Sequence, residues 1–180
     1  MTARRRAAVV IAMFREAPHG IVFVERAEHL RDHPGQIGLP GGSVHPGDLD
    51  LAATALRELH EEVGIEPARA TIVAELPMLR QRVANNFDVT PFVAVVEAGE
   101  LIVDKSETAG AFVVPLATIL DRGLREGSLD VAGVRVLSLM LEYEGRTIWG
   151  LTARILHSFV EAWERGGLRA RVVPHLITGC

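Results

Sequence analysis

A single cysteine, Cys180, leaves no partner for an intrachain disulfide and fits a reducing, cytoplasmic setting. No apolar stretch approaches the roughly 20 residues a membrane-spanning helix needs, so no membrane partner is expected. The start of the chain lacks the order of a signal peptide, because a strand-like run follows Arg4-Arg5-Arg6 without a cleavage site. That short basic run reads as a solvated N-terminal tail. Excess positive charge is missing as well. The formal net charge of −4 gives no general attraction to polyanions, and no nucleic-acid partner is expected. The seven histidines offer no pair at metal-ligand spacing with a third partner. No Ser-His-Asp or Cys-His arrangement has a local signature, which argues against covalent catalysis. Repeats, low-complexity tracts and linkers are absent too. The 180 residues therefore read as one domain, 1–180, with the segment 166–180 a poorly ordered tail.

What the chain does have is concentrated between Gly41 and Ile65, where a glycine turn leads into an acidic helix. Ala52, Ala55, Leu56, Leu59 and Val63 fall on one face at about 100° per residue, and Gly64 supplies the stop signal. Glu58 and Glu62 stand four apart on one flank of that face, within reach of a shared cation. Glu61 lies further round, with Arg57 four residues before it and placed for an ion pair. Carboxylates so close repel one another unless a positive charge lies between them, and a hard divalent cation with oxygen ligands suits that place. The competing reading is a plain solvated acidic face.

The remaining elements are predicted as follows. Residues 7–14 and 20–26 read as two strands of an opening hairpin, joined by a Pro- and Gly-containing turn. A long irregular loop covers 26–42, and loops of that length inside a domain are commonly functional. Strands are expected at 71–79, 87–97 and 111–116, with a helix beginning at Leu116 and a polar connection, 81–86, that could face a ligand. Residues 131–143 and 147–149 read as strands around a turn at Glu144-Gly145-Arg146, followed by a helix over 151–163. Trp149 and Trp163 are taken as core, and the tail from Gly166 has no assignment. Strands surrounding one internal helix, with a second helix near the end, fit an α/β/α sandwich with a mixed sheet.

The nine residues Arg57-Glu58-Leu59-His60-Glu61-Glu62-Val63-Gly64-Ile65 resemble the second half of the Nudix box, and Gly42 resembles its leading glycine. The resemblance implies the same α/β/α fold, a Mg²⁺ or Mn²⁺ cofactor, and hydrolysis of a diphosphate. One spacing departs from the family pattern. Asp48 stands where a glutamate is expected, and eight residues rather than seven then precede Arg57. Asp48 either sits near the helix N-terminus, where the helix dipole favours it, or folds back toward Glu58 and Glu62.

Upstream, Arg26-Ala27, Arg31, Gly35-Gln36 and Leu39-Pro40-Gly41-Gly42 look like the element marking coenzyme A diphosphatases within that family. The run from Ile148 to Leu156, IWGLTARIL, extends the likeness. Departures are Val22-Phe23-Val24, Leu39 and His45, where the subfamily tends to have other residues. The resemblance implies coenzyme A or an acyl-coenzyme A as substrate, with Arg26, Arg31, Gly35, Gln36, Gly41 and Gly42 in its binding. Guanidinium forks suit phosphate, and glycines permit close backbone approach. Glu58 and Glu62 become the principal metal ligands, and Glu61 an additional one. Arg57 holds the cluster through Glu61, and Glu58 or the loop residue Glu107 is the base. A homodimer is compatible with this reading. The other readings are a Nudix hydrolase of another diphosphate, such as ADP-ribose, and a Nudix-fold binding module without catalysis.

Overall fold

The computed structural model describes residues 4–29, 34–81, 86–106, 108–131 and 133–177. Its centre is β1 (Arg5–Phe14), which has strands on both sides. β7 (Phe87–Val96) runs parallel to it along its whole length, from Arg5 opposite Phe87 to Phe14 opposite Val96. On the other side β2 (Gly20–Arg26) returns antiparallel beside the end of β1, as the predicted hairpin requires. Two short strands follow, β3 (Ile37–Gly38) beside β2 and β4 (Gly41–Ser43) beside the first half of β1. β5 (Ala70–Glu75) and β6 (Leu79–Arg80) pair with β7, and β8 (Thr108–Pro115) with β2. One parallel pairing among antiparallel ones makes the sheet mixed, as expected.

Period-two alternation along β1 sends its side chains into two separate cores. Ala8, Val10 and Ala12 meet Ala55, Leu59 and Val63 of α1 (Leu51–Val63). Ala7, Ile11 and Met13 face the opposite layer, built on α2 (Leu116–Arg122), α3 (Gly150–Glu164) and α4 (Gly167–Val172). Both faces of the central strand are buried, which is why it reads as a continuous apolar run. The predicted stripe of α1 is the one that packs. Asp50 caps its start by accepting from the Ala53 amide at 2.7 Å, and Gly64 ends it in the left-handed region at φ 73°.

Four readings of the sequence are corrected. The basic run is not a tail. Arg5 and Arg6 belong to β1, and Arg4 is paired with Asp88 at 2.6 Å and donates to the Phe87 carbonyl at 2.8 Å. The strand expected over 71–79 breaks into β5 and β6 around Pro77, which has no amide to donate to the ladder. The hairpin read over 131–149 is present, but a further strand precedes it and the three form a separate meander: β9 (Arg125–Val131), β10 (Val134–Tyr143) and β11 (Arg146–Trp149). Its second turn is the predicted Glu144-Gly145, with both residues at positive φ, 48° and 76°. Finally, the unassigned tail contains α4, whose Leu168 and Val172 are buried, and Ile177 bridges back to Glu16. No helix among the described residues is long and apolar enough to cross a membrane.

Candidate active site

Glu58 and Glu62 are not surface residues. Both lie on the flank where α1 meets β4, and they are 8% and 7% exposed. The reason is the glycine pair. Gly41 donates its amide to Glu62 Oε2 at 3.0 Å. A Cβ on Gly42 would stand 2.6 Å from Glu58 Cδ, so the carboxylate lies directly against the bare backbone. Gly41 is needed for a second close approach, since a Cβ there would come within 2.6 Å of Val9 Cα. Burial pushes the Glu58 carboxyl above its ordinary value, with Arg57 acting in the opposite direction.

Arg57 organises the rest. Its Nη1 donates to Glu61 Oε2 at 2.8 Å, the predicted pair, and also to Glu58 Oε1 at 3.0 Å. Its Nε and Nη2 reach the two oxygens of Asp48 at 2.9 and 3.1 Å, and Nη2 also donates to the Ser43 carbonyl at 3.0 Å. Asp48 therefore neither caps the helix nor joins the acidic cluster, and the role expected for it is corrected. Asp50 is the cap, and Asp48 is the anchor of Arg57. Its side chain is 6% exposed and also accepts from the His45 amide and the Thr54 hydroxyl, each at 2.8 Å. The Arg57 hydrogen bond, with the His45 amide second, holds the Asp48 carboxyl well below the ordinary 3.8. The same pair raises Arg57 further, so it remains charged at any working pH.

A fourth carboxylate arrives from a loop. Glu58, Glu61, Glu62 and Asp104 line one small pocket of about 110 Å³. The loop carrying Asp104 is tied to the end of α1 by Ile102 N–H to Val63 O at 3.0 Å and Asp104 N–H to Glu62 O at 3.3 Å. The Ser106 amide donates to Asp104 Oδ1 at 2.8 Å and keeps that carboxyl below its usual range. Asp104-Lys105-Ser106 is a recognisable turn sequence, but nothing local says where the turn docks. Glu107, the loop acid expected for this role, lies outside the described residues, as does Arg31.

Four hard oxygen-bearing side chains around a small pocket fit a Mg²⁺ or Mn²⁺ ion in donor chemistry. Among the described residues, no three of His, Cys, Asp and Glu already converge as a ligand set. This is compatible with Mg²⁺, which takes one or two carboxylates and completes its shell with water and substrate phosphate.

On the other face of the glycine strand opens a cleft of about 1570 Å³. Arg26, Gln36, Gly41 and Gly42 line it, as does the segment from Trp149 to Thr152, so the two distant motifs converge. Thr152 Oγ1 donates to the Ile37 carbonyl at 3.1 Å and joins them directly. Gly35 is not in the wall. It turns the chain at φ 65° and donates its amide to the Arg26 carbonyl at 3.1 Å, which positions Arg26. Trp149 stands half-buried in the cleft wall rather than in the core, whereas Trp163 is buried as expected. Sequence reasoning missed Asp104, Arg5 and the meander residues of the far wall, and gave Arg154 no role of its own within the run from Ile148 to Leu156.

Residues 3–132 match the model of the NUDIX domain family. The chain is 37% identical over 156 residues to the uncharacterised Nudix hydrolase NudL of Enterobacter sp. (strain 638), covering 85% of this chain and 80% of the relative. It is 36% identical over 160 residues to NudL of Yersinia pestis (strain Pestoides F), covering 87% and 79%. Among solved structures, the MutT/nudix family protein of Enterococcus faecalis superposes with a TM-score of 0.61 at 14% identity, covering 91% of this chain and 64% of that one. The NUDIX domain of Shewanella oneidensis NrtR, solved with ADP ribose, superposes with a TM-score of 0.54 at 20% identity, covering 67% and 79%.

Proposed function

The chain belongs to the Nudix hydrolase family, a pyrophosphohydrolase of nucleoside diphosphate derivatives, and on that premise we propose that its substrate is coenzyme A or an acyl-coenzyme A. The products would be 3′,5′-ADP and 4′-phosphopantetheine or its acyl form. The observation that carries this reading is the position of the glycine strand. Gly41 and Gly42 face the cleft on one side and touch the Glu62 and Glu58 carboxylates on the other. A diphosphate laid across the end of that bare strand would come within reach of a cation held in the acidic pocket, with the rest of the ligand in the cleft. Arg26 and Gln36 on the cleft wall, with Trp149 to Thr152, are the residues of the coenzyme A resemblance, and they support that substrate over other diphosphates.

Glu58 and Glu62 would be the principal ligands of a Mg²⁺ or Mn²⁺ ion, with Glu61 an additional one. When bound, the cation would neutralise the diphosphate and favour attack by water. The chain's own residues would supply the remainder. Arg57, fixed by Asp48, holds Glu58 and Glu61 at 3.0 and 2.8 Å and keeps the acidic cluster from spreading. Water forms a bond to one phosphorus, the bridging P–O bond breaks, and its electron pair leaves with the departing phosphate. The proton of the water goes to a carboxylate, Glu58 or Glu107, and Glu58 is suited by a burial that raises its proton affinity. Arg26 and the glycine amides would orient the phosphates. The single-domain organisation, the cytoplasmic setting and a homodimeric state belong to the same proposal.

A substrate panel of coenzyme A, an acyl-coenzyme A, ADP-ribose and a dinucleoside polyphosphate, with Mg²⁺ or Mn²⁺ and products identified by mass, tests it. Coenzyme A or its acyl form is expected to give the highest kcat/KM, with the two phosphate-bearing products. Faster cleavage of ADP-ribose overturns the substrate, and metal-dependent binding without turnover of any of them overturns the chemistry.

A further inference from the structure

Two arginines in the cleft have no carboxylate to pair with among the described residues. Arg5, the first residue of β1, lies with its guanidinium 4.7 Å over the Phe87 ring and donates weakly to the Ser43 hydroxyl at 3.4 Å. Among the described residues, the side-chain partner of Arg154, on α3, is the Arg80 carbonyl at 3.5 Å. Both are exposed and both line the cleft. Arg80, also in the cleft wall, lies 3.9 Å from Asp88, and outside the wall Arg4 is paired with Asp88 and Arg57 with Asp48, Glu58 and Glu61. Glu126, on the meander side, is the acidic residue among those lining the cleft. Arg5 stands opposite Phe87, and Arg80, whose carbonyl Arg154 reaches, stands opposite the next residue, Asp88, so both guanidiniums belong to one end of the cleft and make a local anion-attracting site in a chain of net charge −4.

Its place is set by the strand order. Arg26 and Gln36 stand on the β2 and β3 side of the glycine strand, while Arg5 and Phe87 stand on β1 and β7. Ser43, which Arg5 touches, directly follows Gly42. A ligand whose diphosphate lies at Gly41 and Gly42 would therefore meet Arg5 and Arg154 with a group carried further along the molecule. Paired guanidinium donors favour phosphate oxygens, and the half-buried Phe87 ring offers an apolar surface beside them.

We propose that Arg5 and Arg154 form a second anion subsite, which takes a phosphate monoester borne on the nucleotide half of the substrate. This rests on the pyrophosphohydrolase reading and deepens it, because coenzyme A carries such a group at its ribose 3′ position and ADP-ribose carries none. A hydrogen-bonded charge pair of this kind contributes about tenfold or more in affinity.

The test compares coenzyme A with 3′-dephospho-coenzyme A in the wild-type protein and in Arg154→Ala, Arg5→Ala and Arg154→Lys. The wild type is expected to prefer the phosphorylated substrate by about tenfold or more in kcat/KM, mainly through KM. Each alanine variant should bring that ratio severalfold closer to one, and Arg154→Lys should retain part of it. A merely structural role for either arginine would lower both substrates together and leave the ratio unmoved, which overturns the subsite. So does a wild-type ratio near one. Calorimetric binding of 3′,5′-ADP against 5′-AMP, without metal, reads the subsite independently of turnover. If neither coenzyme is cleaved but 3′,5′-ADP still binds more tightly and Arg154→Ala abolishes the difference, the hydrolytic reading falls and the subsite stands.

Discussion

Arg57 makes five hydrogen bonds with its one guanidinium, to both oxygens of Asp48, to Glu58, to Glu61 and to the Ser43 carbonyl. A lysine offers a point charge in place of this fork. Asp48 is the strongest of these partners, and its depressed pKa links stability to pH. The folded-state value lies below the unfolded one, so the stabilisation is complete above the ordinary 3.8 and is lost as pH falls through the folded value. Asp48→Asn should therefore lower Tm most at neutral pH, and the difference from wild type should close on acidification toward pH ~2. Thermal unfolding followed from neutral pH downward reads this directly, and a gap that stays constant with pH would mean that the charge of Asp48 is not what matters.

The other single-residue test is Glu62→Gln. The amide oxygen of glutamine can still accept from Gly41, so the fold and the β4 contact should survive. A neutral ligand holds a divalent cation poorly, and turnover is expected to fall about a hundredfold, equivalent to roughly 2.7 kcal/mol of barrier. Circular dichroism, Mn²⁺ titration and kcat together decide it. Unchanged kcat with unchanged Mn²⁺ affinity would take Glu62 out of the site.

At the scale of elements, three residues of β4 do two jobs. They extend the sheet beside β1, and they form the partition between the cleft and the acidic pocket. The partition is thin only because it has no side chains at Gly41 and Gly42. Gly42→Ala would put a methyl group where the Glu58 carboxylate lies, while asking for no unusual backbone angle. Glu58 should be displaced with little effect on folding, and kcat should fall at least about tenfold, or 1.4 kcal/mol. Mn²⁺ affinity measured on the same variant should weaken in parallel; wild-type values for both would show that Glu58 need not touch β4. The α1 element itself follows from local rules, with Asp50 at its start, Gly64 at its end and an apolar stripe between them.

For the molecule as a whole, the second core is closed by the C-terminal segment. Leu168 and Val172 are buried against the α3 side of the sheet, at 4% and 0% exposure. Fully burying such side chains contributes about 1.5–3 kcal/mol each. A chain cut after Gly166 should accordingly lose several degrees or more of Tm. A poorly ordered tail, as the sequence alone suggested, would cost nothing on removal, so scanning calorimetry of the truncated chain separates the two descriptions. The cleft depends on the same scale of organisation, since its walls come from β1, β4, β7, the meander and the start of α3.

Sequence alone determined whatever depends on neighbours a few residues away. The end of α1 at Gly64, the flank shared by Glu58 and Glu62, the Arg57–Glu61 pair and the Glu144-Gly145 turn are all set by helical or turn geometry over four residues or fewer. The two motifs were also legible, because their residues are contiguous. Only the tertiary structure decided what those elements meet. The role of Asp48 stayed open between two readings because its partner, Arg57, lies nine residues on in α1 and is chosen by how residues 43–50 fold back. Asp104 reached the acidic pocket, and Arg5 the cleft, through pairings between segments far apart in the chain. Such pairings leave no period in the sequence; they are selected by which apolar faces can be buried together, and the site is assembled where those buried faces bring the polar edges into contact.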